Sequence, residues 1–303
     1  MNNALQAVSI PEMAVLASLG PKACQATSLA ADIQNTLVPT LTYQTADLQA
    51  HGQSLPKDEV GGDLVDLLAD GRDVIAYVAD VSGHGLRAGV LMGMIKTAIR
   101  YGWMLRQPVV KLLQDINRVL PPIKQPNMFA TLSALRFDGS NEVEYISAGH
   151  GPLLHYRRKN RNVVRYSTAQ FPLGLFDSAD YVTQRIACEP GDIFALVTDG
   201  VLEAGLDHDP ELGFECLAQL LCQRADRPLS EIVEAIYSDL RQQGPQHDDQ
   251  TVLLVRALEP HETQANQQDS ASCQHNESVD HAPRLEARWQ KLLDDLAAEL
   301  ASD

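Results

Sequence analysis

Apolar residues recur along this chain at two different periods, and the places where the period changes mark its elements. Leu29, Ile33 and Leu37 lie four apart on one helix face, and Pro39 stops the pattern, so the stretch from Met1 to about Leu41 reads as helical. A strand is expected from Leu41 to Ala50. A second is entered through Val60-Gly61-Gly62-Asp63-Leu64-Val65-Asp66, and Asp70-Gly71 is a hairpin signal. The apolar run Val74 to Val81 is a buried strand. Leu86 to Leu105 and Val109 to Leu120 read as helices, the second ended by Pro121-Pro122. Short strands follow at Met128–Phe137, Val143–Ser147, Leu153–Arg157, Tyr181–Ala187 and Ile193–Thr198. Helices fit Glu211–Arg224 and Leu229–Gln242, and Thr251–Val255 is a last strand.

Strand groups and helix pairs in this order do not give the strict alternation of a doubly wound parallel sheet. They fit an α+β sandwich with two sheets between helical layers. The pattern divides the chain into a helical segment over residues 1–40, a domain over 41–257, a polar disordered linker over 258–282 and an amphipathic helix over 283–303. In the last, Leu285, Trp289, Leu292, Leu296 and Leu300 share one face. That face serves docking onto the domain, self-association or a regulatory partner. The N-terminal helix either packs on its own domain or pairs with its copy in a homodimer.

The chain has 303 residues, 45% hydrophobic and 21% charged, enough to fill a sizeable core. Its formal net charge of −16 repels nucleic acid and anionic membranes, and neither is an expected partner. Cys24, Cys188, Cys216, Cys222 and Cys273 form no Cys-x-x-Cys pair, which points to reduced thiols rather than a disulfide framework. There is no basic segment followed by an apolar run at the N-terminus and no apolar stretch of bilayer length. A soluble, cytoplasmic protein is expected.

The chemistry lies in acidic residues at the ends of apolar strands or in the adjoining turns. They are Asp63 with Asp66, Asp80 in Ala-Asp-Val-Ser-Gly-His-Gly, Asp199 in Val-Thr-Asp-Gly, and Asp248 with Asp249. Any one such aspartate is ordinarily a turn or capping residue. A carboxylate beside a buried strand is nevertheless costly unless paired or bound to a cation. Several together on rigid elements suit hard divalent ions such as Mg²⁺ or Mn²⁺.

In order, these motifs resemble the PPM-type phosphatases, in the bacterial branch named for the sporulation protein SpoIIE and including stress-response regulators of the RsbU kind. The resemblance rests on Gly61-Gly62-Asp63 with Asp66, Asp80-Val81-Ser82-Gly83-His84-Gly85, Ala148-Gly149-His150-Gly151-Pro152, Pro172-Leu173-Gly174, Thr198-Asp199-Gly200-Val201-Leu202-Glu203 and Asp248-Asp249-Gln250-Thr251. It extends from about Ile33 to Arg256 and includes Ile33-Gln34 with Leu37-Val38-Pro39. The family fold it implies is a four-layer αββα sandwich with two central, mainly antiparallel sheets.

The resemblance also implies an activity: metal-dependent removal of phosphate from serine or threonine, with two ions, Mn²⁺ or Mg²⁺, activating water. The implied catalytic residues are Asp80, Asp199 and Asp248. The implied metal site comprises Asp63, the bridging Asp80, the Val81 carbonyl, Asp199 and Asp248, with Asp63 binding directly or through water. Asp249 and Glu203 would support these ligands, and Asp66 would be structural or supporting. The implied substrate is a phosphoserine or phosphothreonine protein, an anti-sigma-factor antagonist in a partner-switching pathway. Two departures stand out. No arginine precedes Arg72, where eukaryotic relatives place a phosphate-gripping one, and the histidine after the bridging aspartate, His84, is displaced by an inserted Val-Ser. The general-acid role is therefore not carried to His84, and His84 and His150 are read as shaping their turns. The alternatives are a non-catalytic binding module, which the intact aspartates oppose, and a hydrolase of small phosphate esters, which needs a closed pocket.

Overall fold

A computed structural model describes residues 31–204 and 209–259. Helical residues 31–37 (α1) are followed by β1 (Leu41–Gln44), β2 (Leu48–Leu55), β3 (Leu64–Asp70) and β4 (Asp73–Val81). Helices α2 (Leu86–Met104) and α3 (Val109–Val119) come next. Strands β5 (Ala130–Phe137), β6 (Glu142–Ala148), β7 (Leu153–Arg157), β8 (Asn162–Tyr166), β9 (Gln184–Ala187) and β10 (Ile193–Val197) complete the middle of the chain. The short α4 (Asp199–Leu202), α5 (Pro210–Arg224), α6 (Leu229–Gln243) and β11 (Gln250–Ala257) complete the described residues.

One sheet has the order β1-β2-β11-β10-β7-β8 and the other β3-β4-β5-β6-β9. Every paired strand is antiparallel. Alternating side chains give each sheet two buried faces. Val74, Ala76 and Val78 of β4 meet Phe194 and Leu196 of β10 and Leu253 and Val255 of β11 between the sheets. Ile75, Tyr77 and Ala79 turn instead to Leu91, Met92, Ile95 and Ile99 of α2 and Leu112 and Ile116 of α3. Ala195, Val197, Val252 and Leu254 turn to α5 and α6. The result is the expected four-layer sandwich, helices outside and sheets within.

Three sequence expectations are corrected. The strand foreseen over Leu41–Ala50 is a hairpin. Thr45 accepts the Leu48 amide at its hydroxyl (3.1 Å) and donates its own amide to the Leu48 carbonyl (2.7 Å), which reverses the chain. Strand β8 was not foreseen; it is a short edge strand with no buried residue, so it lacks an apolar signature. Strand β9 begins at Gln184 rather than Tyr181. The linker, the C-terminal amphipathic helix and residues 1–30 lie outside the described residues. Among those described, no helix is long and apolar enough to cross a membrane, and Cys188, Cys216 and Cys222 are free thiols.

Candidate metal centre

The pairing of β3 with β4 sets Leu64 opposite Ala79. Continued by one residue, it places Asp63 opposite Asp80, both on the face turned towards the other sheet. From that other sheet, Thr198 at the end of β10 donates its hydroxyl to Asp63 Oδ2 at 2.8 Å, and Thr251 of β11 does so at 2.6 Å. Asp63 is thus held across the seam between the sheets. Burial lifts its carboxyl well above the usual range, the Asp80 charge adds to this, and the Thr251 and Thr198 hydrogen bonds oppose it.

Asp80 is pushed up to about 7, first by burial and then by Asp199, Asp248 and Asp249. Every charged neighbour acting on it is a carboxylate. Asp199, the first residue of α4, is likewise raised by burial, then by Asp248 and Glu203. The close approach behind these effects depends on glycine. A Cβ on Gly200 would lie 2.1 Å from the Asp249 carbonyl and 3.2 Å from the Asp248 Cβ, so only glycine brings α4 against the start of β11. A Cβ on Gly62 would lie 2.7 Å from the Val81 carbonyl, so that residue lets the 57–63 loop cross the end of β4. Asp248 is exposed and opens the cluster to the surface. Among the described residues, no three histidine, cysteine, aspartate or glutamate side chains are drawn tightly enough to chelate an ion as they stand. The carboxylates are electrostatic neighbours rather than a closed cage.

Comparison with known families decides what this arrangement belongs to. The family model for stage II sporulation protein E (SpoIIE) matches residues 70–258. The chain belongs to the SpoIIE family. The phosphoserine phosphatase RsbU of Bacillus subtilis is 28% identical over 235 residues, covering 75% of this chain and 69% of its relative. The SiaA-PP2C domain of Pseudomonas aeruginosa has a TM-score of 0.63 at 25% identity, covering 78% of this chain and 97% of that one. The RsbU and RsbW domains of Rv1364c from Mycobacterium tuberculosis give 0.62 at 26% identity. There the match covers 73% of this chain and 62% of its relative. The SpoIIE-family domain described here is a serine/threonine phosphatase domain of the PP2C type.

Within this SpoIIE-family domain the other acidic and histidine residues have separate roles. Asp249 borders the cluster, acting on Asp80 through its charge, but is itself buried. Its buried carboxylate accepts the amides of Lys57 (2.8 Å) and Gly62 (2.7 Å) and so shapes the loop leading to Asp63. Asp66 is structural: its carboxylate accepts Lys96 at 2.8 Å, both Arg100 donors at 3.0 Å and the Tyr77 hydroxyl at 3.0 Å, riveting α2 to the sheet. His84 is exposed and pairs with Asp58 at 3.3 Å. His150 is a strut between the sheets: Nε2 donates to the Val197 carbonyl (3.0 Å) and Nδ1 accepts the Thr131 hydroxyl (2.8 Å). Burial lowers its pKa to about 4 and keeps it neutral. Sequence reasoning assigned no role to Thr198, Thr251 or Gln34. The usable signal was a threonine on the inward side of each strand end.

Proposed function

We propose that the domain hydrolyses phosphoserine or phosphothreonine in a regulatory phosphoprotein, using two divalent cations, Mn²⁺ or Mg²⁺, held by Asp63, Asp80, the Val81 carbonyl, Asp199 and Asp248. The observation that carries this reading is the surroundings of Asp80: a half-buried carboxylate whose charged neighbours are all carboxylates. Such a cluster is unfavourable alone, and its hard oxygen donors match hard divalent ions. Bound ions supply Lewis acidity and a water of lowered pKa, with no need for a covalent enzyme intermediate. The chain's own residues do the placing. Asp80, Asp199 and Asp248 carry the reactive centre and compensate the cationic charge. Thr198 and Thr251 orient Asp63, Asp249 fixes the loop before it, and Gly62 keeps the Val81 carbonyl approachable.

The exposure of Asp248 suits a phosphate carried on a protein surface. The family resemblance makes an anti-sigma-factor antagonist in a partner-switching pathway the favoured substrate. Residues 41–257 constitute the catalytic unit in this reading, and the segments on either side serve a regulatory partner or a homodimer. The test is phosphate release from a phosphoserine protein and from free phosphoserine, with Mn²⁺ and with chelator, for wild type and Asp199→Asn. Mn²⁺-dependent release from the protein, lost in the variant, is expected. Faster turnover of free phosphoserine would overturn the substrate assignment, and release that survives chelation would overturn the metal one.

A further inference from the structure

Between Leu55 at the end of β2 and Leu64 at the start of β3, the chain has no strand partner to hold it. The hydrogen bonds on its backbone come from two side chains. One is the Asp249 carboxylate, on the amides of Lys57 and Gly62. The other is the Gln34 amide, which reaches in from α1. Gln34 Nε2 donates to the Gly61 carbonyl at 3.0 Å, and the Gly61 amide donates to Gln34 Oε1 at 2.8 Å. This paired bond copies the exchange between two residues of neighbouring strands. It satisfies both polar groups of Gly61, two residues before Asp63.

Three further facts single out Gln34. Of residues 31–37 it alone is buried, at 8% exposure, while Asp32, Ile33, Asn35 and Thr36 are exposed. The loop cannot shift easily under it, because a Cβ on Gly61 would lie 2.3 Å from the Asp249 carboxylate. Helix α2 closes the third side: a Cβ on Gly89 would lie 2.5 Å from the Val60 side chain. A buried amide is costly unless both its ends are satisfied, and here both are spent on one residue of the loop.

We propose that Gln34 is a positioning residue for the metal centre: its paired bond to Gly61 sets the loop that presents Asp63. This rests on the reading of Asp63 as part of a metal site. Partners that orient a ligand typically change metal affinity by about 10–100-fold when removed.

The test uses the full chain and Mn²⁺, with affinity read from the spin-resonance signal of free Mn²⁺ and loop order from amide hydrogen exchange at Gly61 in metal-free protein. Gln34→Ala is expected to weaken Mn²⁺ binding about tenfold or more and to speed Gly61 exchange. Gln34→Glu keeps the acceptor for the Gly61 amide but loses the donor, and should fall between the two; it also serves if the alanine variant does not fold. Leu37→Ala, which trims the contact of α1 with α2 near Gly93, is the control: it should lower thermal stability and leave affinity unchanged. Gly61 exchange at the wild-type rate in Gln34→Ala overturns the clamp, as does wild-type Mn²⁺ affinity in Gln34→Glu, which lacks the donor to the Gly61 carbonyl. Fast exchange with wild-type Mn²⁺ affinity overturns its link to the metal centre. Wild-type protein that binds no Mn²⁺ defeats the metal reading itself, which separates that failure from the other two.

Discussion

Asp66 and Asp80 sit on adjacent strands of one sheet, yet their surroundings are opposite. Asp66 faces the helices and is met by Lys96, Arg100 and Tyr77. Asp80 faces the other sheet and is met by Asp199, Asp248 and Asp249. Both carboxylates lose water, and in a protein interior that loss is severe unless opposite charge compensates it. For Asp66 the chain itself supplies the compensation from α2. For Asp80 nothing among the charged neighbours acting on it does, and in the proposed reading the compensation comes from bound cations. The pair shows how one sheet can carry a structural rivet and, in the proposed reading, a reactive centre: residue type is the same, and the layer that supplies the neighbours differs.

Exchanging each carboxylate for its amide breaks the comparison most directly. Asp80→Asn should lower kcat about a thousandfold while the metal-free protein stays at least as stable as wild type, since a repelled charge is removed; steady-state kinetics with urea unfolding measures both. Asp66→Asn should do the reverse. It strands the buried Lys96 ammonium and should cost about 3 kcal/mol, with turnover of the folded fraction near wild type. Equal losses of activity in the two variants would erase the distinction.

The smallest expected effect sharpens the picture of the seam beside Asp80. His150 is neutral in the fold, with its pKa lowered to about 4, whereas an unfolded histidine titrates near 6.5. Between those values the unfolded chain binds the extra proton. The contribution of His150 is therefore complete above about pH 6.5 and is lost as pH falls towards 4. Compared with His150→Gln, wild type should lose about 2 kcal/mol across that window. Parallel stability curves for the two proteins would show that the imidazole is not the group responsible.

Much of the architecture was legible because burial on both sheet faces leaves near-continuous apolar runs, as in Val74 to Val81. The Leu41–Ala50 hairpin was not, because its reversal is closed by paired Thr45–Leu48 hydrogen bonds with no Gly or Pro to mark it. Strand β8 was invisible because an edge strand needs no apolar face. In the site, the acidic motifs located the four clustered aspartates, but Asp66 could not be assigned from its own neighbourhood. Its partners Lys96 and Arg100 stand a helix away and meet it only when α2 packs. Gln34 had the same obscurity: an amide on a short helix gains meaning only from the backbone it reaches.

Strand β11 lies between β2 and β10, at the middle of its sheet, although it is the last strand among the described residues. Asp248 and Asp249 directly precede it, and Thr251 is within it. A polypeptide leaves the ribosome N-terminus first. Asp63, Asp80 and the whole β3-β4-β5-β6-β9 sheet therefore emerge before the carboxylates and the hydroxyl that complete the centre. Until β11 slots between its neighbours, the 57–63 loop lacks its Asp249 anchor and β2 and β10 lack the strand that joins them. On the proposed reading of the metal centre, a chain released before β11 lacks Asp248, Asp249 and Thr251 and is expected to be an inert fragment rather than an unregulated enzyme.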